Sequence, residues 1–176
     1  MVGTGRMIAN GPLAISGSIG LDEGRVLEIH GGGTWSAGSI NLNPTFTGNA
    51  AAGVVRNFAG STFNNSFDGS LFTQNFDNGA ENGASALFDN QGILQKSGGT
   101  GTSTLSAAFN NSGTVNVNAG TLNFSGGGTD VGGTYAGTGA TLQFGGGTRP
   151  HKWRPHQCHP RRSSACRRSR SPCRCC

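Results

Sequence analysis

Apolar and polar residues alternate along this chain over short stretches, and each stretch breaks at glycine. Leu27-Glu28-Ile29-His30 runs into Gly31-Gly32-Gly33-Thr34. Leu122-Asn123-Phe124-Ser125 runs into Gly126-Gly127-Gly128-Thr129, and Leu142-Gln143-Phe144 into Gly145-Gly146-Gly147-Thr148. Period-two alternation closed by glycine predicts a short strand followed by a turn, reused along the chain. Residues 25–29, 39–43 (closed by Pro44) and 114–118 follow the same rule. A second phrase begins near residue 86. Leu87-Phe88-Asp89-Asn90-Gln91-Gly92-Ile93-Leu94 aligns with Ala108-Phe109-Asn110-Asn111-Ser112-Gly113-Thr114-Val115, 21 positions on. Phe63-Asn64-Asn65-Ser66 and Phe76-Asp77-Asn78-Gly79 are looser copies, and Thr121-Leu122 returns as Thr141-Leu142 after 20.

A spacing near 20 residues suits one coil of a β-solenoid, with coils stacked about 4.8 Å apart, apolar side chains inside and small polar residues at the corners. Residues 1–148 would then hold roughly seven coils. An antiparallel sandwich, marked by hairpin signals every 8–12 residues and a richer aliphatic core, is the competing architecture. The solenoid reading predicts that Phe88 and Phe109 stack inside. It also predicts that Asn65, Asn90 and Asn111, each two residues after a Phe, form a corner where their amides bond up and down the stack. The competing explanation for those asparagines is composition alone.

Composition supports an extended repeat over a compact core. Glycine occurs 32 times in 176 residues, and charged residues make up 12%. So much glycine raises the entropic cost of ordering the chain, which regular backbone hydrogen bonding must offset. The net charge of +5 hides a division. All eight acids, but only Arg6, Arg25, Arg56 and Lys96 among the bases, lie in residues 1–148. Residues 149–176 carry the other nine bases and no acid. No apolar run is long enough for a membrane-spanning helix, and no signal peptide is visible at the start.

The phrases at residues 108–122 and at Gly139-Ala140-Thr141-Leu142-Gln143-Phe144 resemble the passenger repeats of bacterial autotransporters and filamentous-haemagglutinin-type surface proteins. The resemblance covers residues 20–148. It implies a right-handed parallel β-helix, export across the envelope, and a role in adhesion or as a cell-surface stalk. It implies no catalytic residues and no cofactor. The lack of a signal peptide and of a C-terminal membrane barrel leads us to expect a fragment of a larger passenger, displayed at the cell surface or secreted.

At Arg149 the composition changes. Residues 149–176 hold all five cysteines, four of six prolines and three of four histidines, and no Gly, Asn, Val, Leu or Phe. Cys173 and Cys176 form a CxxC pair around Cys175, with His156, Cys158 and His159 upstream as further zinc-type ligands. Arg161, Arg162, Arg167, Arg168, Arg170 and Arg174 suit phosphates. Against that, no second spaced CxxC and no apolar set accompany them. We expect a disordered basic tail with no metal site and no specific nucleic-acid partner. Its residue mix is also what a GC-rich gene yields when read out of frame.

Catalytic chemistry is sparse in residues 1–148. The lone histidine, His30, reads as an exposed strand-edge residue. Asp22, Glu23 and Glu28 form the densest acidic group, and paired carboxylates hydrolyse glycosides. Adjacent Asp22 and Glu23 would face opposite ways on a strand, so a solvated turn is the simpler reading. Gly126-Gly127-Gly128-Thr129-Asp130 misses the spacing of a calcium-binding nonapeptide. Asn64, Asn110 and Asn123 head formal glycosylation triplets. The expectation is a non-enzymatic structural or adhesion protein that meets glycans or proteins through a solenoid face and tends to self-associate at uncapped ends. The alternatives are a carbohydrate-active β-helix enzyme, and metal or nucleic-acid binding through the tail.

Overall fold

A computed structural model describes residues 3–44, 51–74 and 82–150 of the chain. Every element among them is a β-strand, and the strands come in threes. The first coil is β1 (Gly5–Ala9), β2 (Leu13–Ser16) and β3 (Ile19–Gly20); the second is β4 (Arg25–Ile29), β5 (Gly33–Ala37) and β6 (Ser39–Asn41). The third is β7 (Val54–Asn57), β8 (Thr62–Asn65) and β9 (Ser70–Phe72); the fourth is β10 (Leu87–Asn90), β11 (Ile93–Lys96) and β12 (Thr102–Leu105). The fifth is β13 (Ala108–Asn111), β14 (Thr114–Val117) and β15 (Thr121–Phe124). The sixth adds β16 (Thr134–Gly137) and β17 (Thr141–Phe144).

Each strand pairs in parallel with its counterparts one coil away. Sheet A runs β1-β4-β7-β10-β13, sheet B β2-β5-β8-β11-β14-β16, and sheet C β3-β6-β9-β12-β15-β17. The fold is a three-sided parallel β-helix. In the sixth coil a single bridge, Asn111 to Asp130, continues sheet A. The described residues thus form five full coils and part of a sixth, fewer than a uniform 20-residue spacing implies. The difference lies in coil length. Thr114 bonds Thr134 across 20 residues, and Asn90 bonds Asn111 across 21, but Asn57 bonds Asn90 across 33. The additional chain enters between β6 and β7 and between β9 and β10, at the corner from sheet C to sheet A both times.

Alternation decides which side chains enter the core. In β7, β8 and β10 to β15 the second and fourth residues are buried, and the first and third are more exposed. Because the sheets are parallel and in register, each inward position becomes a column. Leu27, Val55, Phe88 and Phe109 follow one another on sheet A, and Ile40, Leu71, Leu105 and Phe124 on sheet C. All eight are at most 3% exposed. An aromatic spine crosses between columns. Trp35 packs on Phe63 (6.5 Å between ring centroids), Phe63 on Phe88 (5.9 Å), Phe88 on Phe109 (5.6 Å), Phe109 on Phe124 (4.2 Å) and Phe124 on Phe144 (5.7 Å). Phe88 and Phe109 stack inside, as the repeat predicts. Rings at these spacings add roughly 0.5–1.5 kcal/mol per pair beyond their burial.

The asparagine ladder exists, with one member exchanged. Asn57 Nδ2 donates to Asn90 Oδ1 (2.8 Å), and Asn90 Nδ2 donates to Asn111 Oδ1 (2.9 Å). Each residue ends its sheet A strand at the corner leading to sheet B. Asn65 is not the third member. It lies on β8 of sheet B, in register with Lys96, and donates instead to Ser103 Oγ (2.8 Å). The phrase Phe-Asn-Asn recurs, but in a different sheet. Below Asn57 the column continues with Ile29, which offers no donor, and Asn57 Oδ1 is left without a partner.

The glycine triplets are likewise not equivalent. The one at residues 31–33 turns from sheet A to sheet B, whereas those at 126–128 and 145–147 leave sheet C. Those two stack: Gly128 N donates to Thr148 O (3.1 Å). Gly128 has φ of 126°, and a Cβ there would collide with the Phe109 carbonyl, so the tight corner admits only glycine.

Candidate functional surfaces

The parity that fills the core also sorts the surface. Outward-facing charge on the strands lies on sheet A: Arg6 on β1, Glu28 on β4, Arg56 on β7 and Asp89 on β10, while Arg25 opens β4 with the parity of Leu27 and Ile29. Sheets B and C carry a single charged strand residue, Lys96, and it points inward with 0% exposure.

On sheet A, Glu28, Arg56 and Asp89 are successive register partners. Arg56 Nε donates to Asp89 Oδ2 (2.9 Å), and its Nη1 lies 3.7 Å from Glu28 Oε1. Arg6 Nη1 reaches the same Glu28 oxygen (3.4 Å), while His30 Nε2 approaches Oε2 (3.5 Å). His30 also stacks on Phe58, with centroids 4.0 Å apart. Glu28 is consequently only 2% exposed, although it occupies an outward position. His30 remains exposed at the end of β4.

Of the acidic trio, only Glu28 lies in this row of ion pairs. Asp22 and Glu23 do sit in a turn, and Glu23 takes a left-handed φ of 56°. Asp22, however, is fully buried rather than solvated, and its Oδ1 accepts from the Glu23 amide (2.8 Å). It belongs to the corner before β4, bridged to Ala52. The nearest register-related acids are Glu28 and Asp89, and the Arg56 guanidinium occupies the position between them.

Sheet C presents different chemistry. Thr102, Thr121 and Thr141 form one outward row, and Thr104, Asn123 and Gln143 another. Ser39 and Ser70 are paired lower on the same sheet, and Ser18 Oγ bonds Ser39 Oγ (3.2 Å). Sheet B repeats the theme with Asn64, Gln95 and Asn116 in register, and Thr114 Oγ1 bonds Thr134 Oγ1 (2.9 Å). Two of the formal glycosylation asparagines, Asn64 and Asn123, lie within these rows. The third, Asn110, faces outward from sheet A, and its Oδ1 accepts from Thr129 N and Oγ1 (2.9 Å each).

Two polar clusters were not anticipated from sequence. Lys96 replaces an apolar member of an inward column on sheet B. Its Nζ donates to Gly98 O (2.7 Å), Asp68 Oδ1 (2.8 Å) and Phe67 O (3.0 Å), which ties together the two corners from sheet B to sheet C. The hydrogen bond from Lys96, with a second from the Gly101 amide, holds the Asp68 carboxyl below its ordinary pKa. The alternation Ile93-Leu94-Gln95-Lys96, read strictly, already turns Lys96 inward with Leu94.

The second cluster closes the C-terminal end. Arg149, the first residue of the expected tail, folds back over the last coils. Its guanidinium donates to Gly127 O (2.9 Å), Phe109 O (3.1 Å), both Asp130 oxygens (2.9 and 3.1 Å) and Tyr135 Oη (3.0 Å). The same group lies over the rings of Phe144 (5.1 Å), Phe109 and Phe124 (5.7 Å each). Tyr135 donates its hydroxyl to Asp130. Burial, together with that bond, pushes the Tyr135 phenol up to about 12. An open hollow of about 260 Å³, lined by Phe144, Gly146, Gly147 and Arg149, adjoins the cluster.

The remaining basic and metal-type candidates, including Arg161, Arg162, Arg167, Arg168, Arg170, Arg174, His156, Cys158, His159, Cys173, Cys175 and Cys176, lie outside the described residues. Among the described residues no three His, Cys, Asp or Glu side chains gather as a metal site, and no helix is long and apolar enough to cross a membrane. Compared with family models, with curated proteins and with solved structures, the chain shows no match.

Proposed function

We propose that this chain is a non-enzymatic rod that acts by contact: a cell-surface or secreted structural and adhesion protein of the autotransporter-passenger and filamentous-haemagglutinin kind. Sheet C is its binding face, and neutral glycans are its ligands. One observation carries the reading: the rows of Thr, Ser, Asn and Gln on sheet C recur once per coil with no charge among them. Hydroxyls and amides both donate and accept, as sugar hydroxyls do. A row that repeats every ~4.8 Å offers a polymer many equivalent weak contacts, none of which needs a deep pocket. The ion-paired state of Glu28 and Asp89 supports binding over hydrolysis, because a glycosidase needs one carboxyl free to donate a proton and room between the pair.

The test is cosedimentation of the purified full chain with an insoluble neutral polysaccharide, such as cellulose or a β-glucan, and with an anionic one, such as cross-linked alginate. Neutral polymer should retain the chain. Placing charge on the face with Thr121→Glu and Asn123→Asp should release it, whereas Arg56→Gln on sheet A should not. Retention by the anionic polymer alone, or equal binding by both face variants and wild type, would refute the assignment.

A further inference from the structure

Among the described residues the stack ends at β16 and β17. Each pairs on one side only among those residues, which leaves the other edge open to a further strand. Such edges template further strands. The aromatic spine also ends there, at Phe144, which is 48% exposed. At the opposite end of the described stack β1, β2 and β3 are the matching terminal strands. A second copy laid head to tail would extend the same three sheets, with Met7, Leu13 and Ile19 continuing the interior columns that end in Phe109, Tyr135 and Phe144. Head-to-tail contacts of this kind do not close and give filaments.

Arg149 occupies that end in a manner a surface arginine does not. Its side chain is 8% exposed, and the Asp130 carboxylate that receives it is 9% exposed. Every oxygen around it is an acceptor: two carbonyls, a carboxylate and a phenol that spends its own proton on Asp130. Three aromatic rings supply the faces on which a planar cation rests. Fork-shaped donors matched to such acceptors are the property of guanidinium and not of ammonium. The geometry also depends on the stacked glycine turns, since Thr148, one residue earlier, is pinned to Gly128.

We propose that the end of the sixth coil is a guanidinium-binding socket, formed by Asp130, Tyr135 and the Phe109 and Gly127 carbonyls, which the chain fills with its own Arg149 and thereby caps the rod against a second copy. Asp130 is placed by its bridge to Asn111, and Tyr135 by its strand, β16. An arginine presented by another molecule is the chemical competitor for it.

The experiment uses the full chain carrying Arg149→Ala, with methylguanidinium and methylammonium as probes. Emptying the socket should lower the thermal midpoint by roughly 5 °C or more, on the scale of 2–4 °C per kcal/mol for a chain of this size. It should also shift sedimentation from monomer toward concentration-dependent oligomers. Millimolar methylguanidinium should reverse both changes. Methylammonium, of equal charge but without the fork, should reverse neither, and the double variant Asp130→Asn with Arg149→Ala should respond to neither probe. If the alanine variant does not fold, Arg149→Lys decides the matter. A socket predicts a lowered midpoint and self-association despite the retained charge, whereas a general charge effect predicts wild-type behaviour. An alanine variant with unchanged midpoint and monomeric sedimentation, rescue by methylammonium, or a lysine variant indistinguishable from wild type would overturn the proposal.

Discussion

Replacing Asn90 by Asp separates the ladder from mere asparagine-rich composition, because the two side chains share a shape. Asn90 is 0% exposed. Its Oδ1 accepts from Asn57 and would survive the change. Its Nδ2 faces only acceptors: Asn111 Oδ1 at 2.9 Å, Thr114 O at 3.2 Å and Gly92 O at 3.3 Å. A carboxylate oxygen placed there would confront all three, so the folded chain keeps the acid protonated. Full burial raises a carboxyl by as much as 3–5 pKa units. The unfolded chain ionises near 3.9, and each unit is worth about 1.4 kcal/mol.

From about 3.9 to pH 7 is roughly three units, so ionisation of the unfolded state alone removes about 4 kcal/mol of stability at pH 7. The protonated acid also donates one hydrogen bond where the amide donated two, a further loss of about 1 kcal/mol. The sign follows from linkage. The folded pKa is raised, so the ionisation penalty is absent below the unfolded pKa and grows as the pH climbs above it. Urea unfolding followed by far-ultraviolet circular dichroism at pH 3.5 and pH 7 measures this as the difference between variant and wild type at each pH. The difference should be about 1 kcal/mol at pH 3.5 and about 5 kcal/mol at pH 7, a large share of the 5–15 kcal/mol typical of a domain. Asn110→Asp is the control. It lies in the same repeat phrase but faces outward, and a carboxylate there keeps both bonds from Thr129. Equal losses for the two variants, or a pH-independent loss for Asn90→Asp, would refute the ladder as a source of stability.

The sequence contains one tyrosine, so its titration is read without overlap from another phenol. Absorbance at the phenolate band should show Tyr135 ionising at about 12 instead of 10 in the folded chain. The stability it contributes should be constant below pH 10 and decline between pH 10 and about 12; a midpoint at 10 in folded protein would mean that the end cluster does not form. Asp68 acts in the opposite range. Its pKa is lowered from 3.8 by Lys96 and the Gly101 amide. The stability it adds is therefore present above about pH 4 and lost as the pH falls through the folded value. Asp68→Asn should lower the urea midpoint at pH 7, with the gap to wild type closing as the pH falls below 3.8; a gap independent of pH would remove the Lys96 bond as its origin.

Much of the β-helix was legible because its rules are local. Alternation identified β4 and β14, glycine marked the corners, and the offset between Phe88 and Phe109 gave one coil directly. What local pattern does not encode is which sheet a phrase enters. Phe63-Asn64-Asn65 and Phe109-Asn110-Asn111 look like copies, yet one starts sheet B's third layer and the other sheet A's fifth. The long passages between β6 and β7 and between β9 and β10 break the count of residues on which such an alignment depends, so Asn57, which shares no phrase with Asn90, ends up beneath it. A change of residue type marks where the repeat stops, yet Arg149, the first residue past it, packs over Phe109, Phe124 and Phe144 and pairs with Asp130.

The same distinction bears on function. The strongest sequence candidates for chemistry, Asp22, Glu23 and Glu28, rest on the premise that acids close in sequence are close in space. In a solenoid, closeness in space comes from register, and residues about one coil apart are the true neighbours. Register brings Arg56 between Glu28 and Asp89, where it pairs with both, and it aligns Thr102, Thr121 and Thr141, which no motif search would connect. A reaction centre needs a few dissimilar groups converging on one point, whereas stacking equivalent coils delivers the reverse, one kind of group repeated along a line. The uncharged rows of sheet C are the outcome that stacking favours, which is why a long face for many weak contacts follows from this architecture more directly than a pocket does.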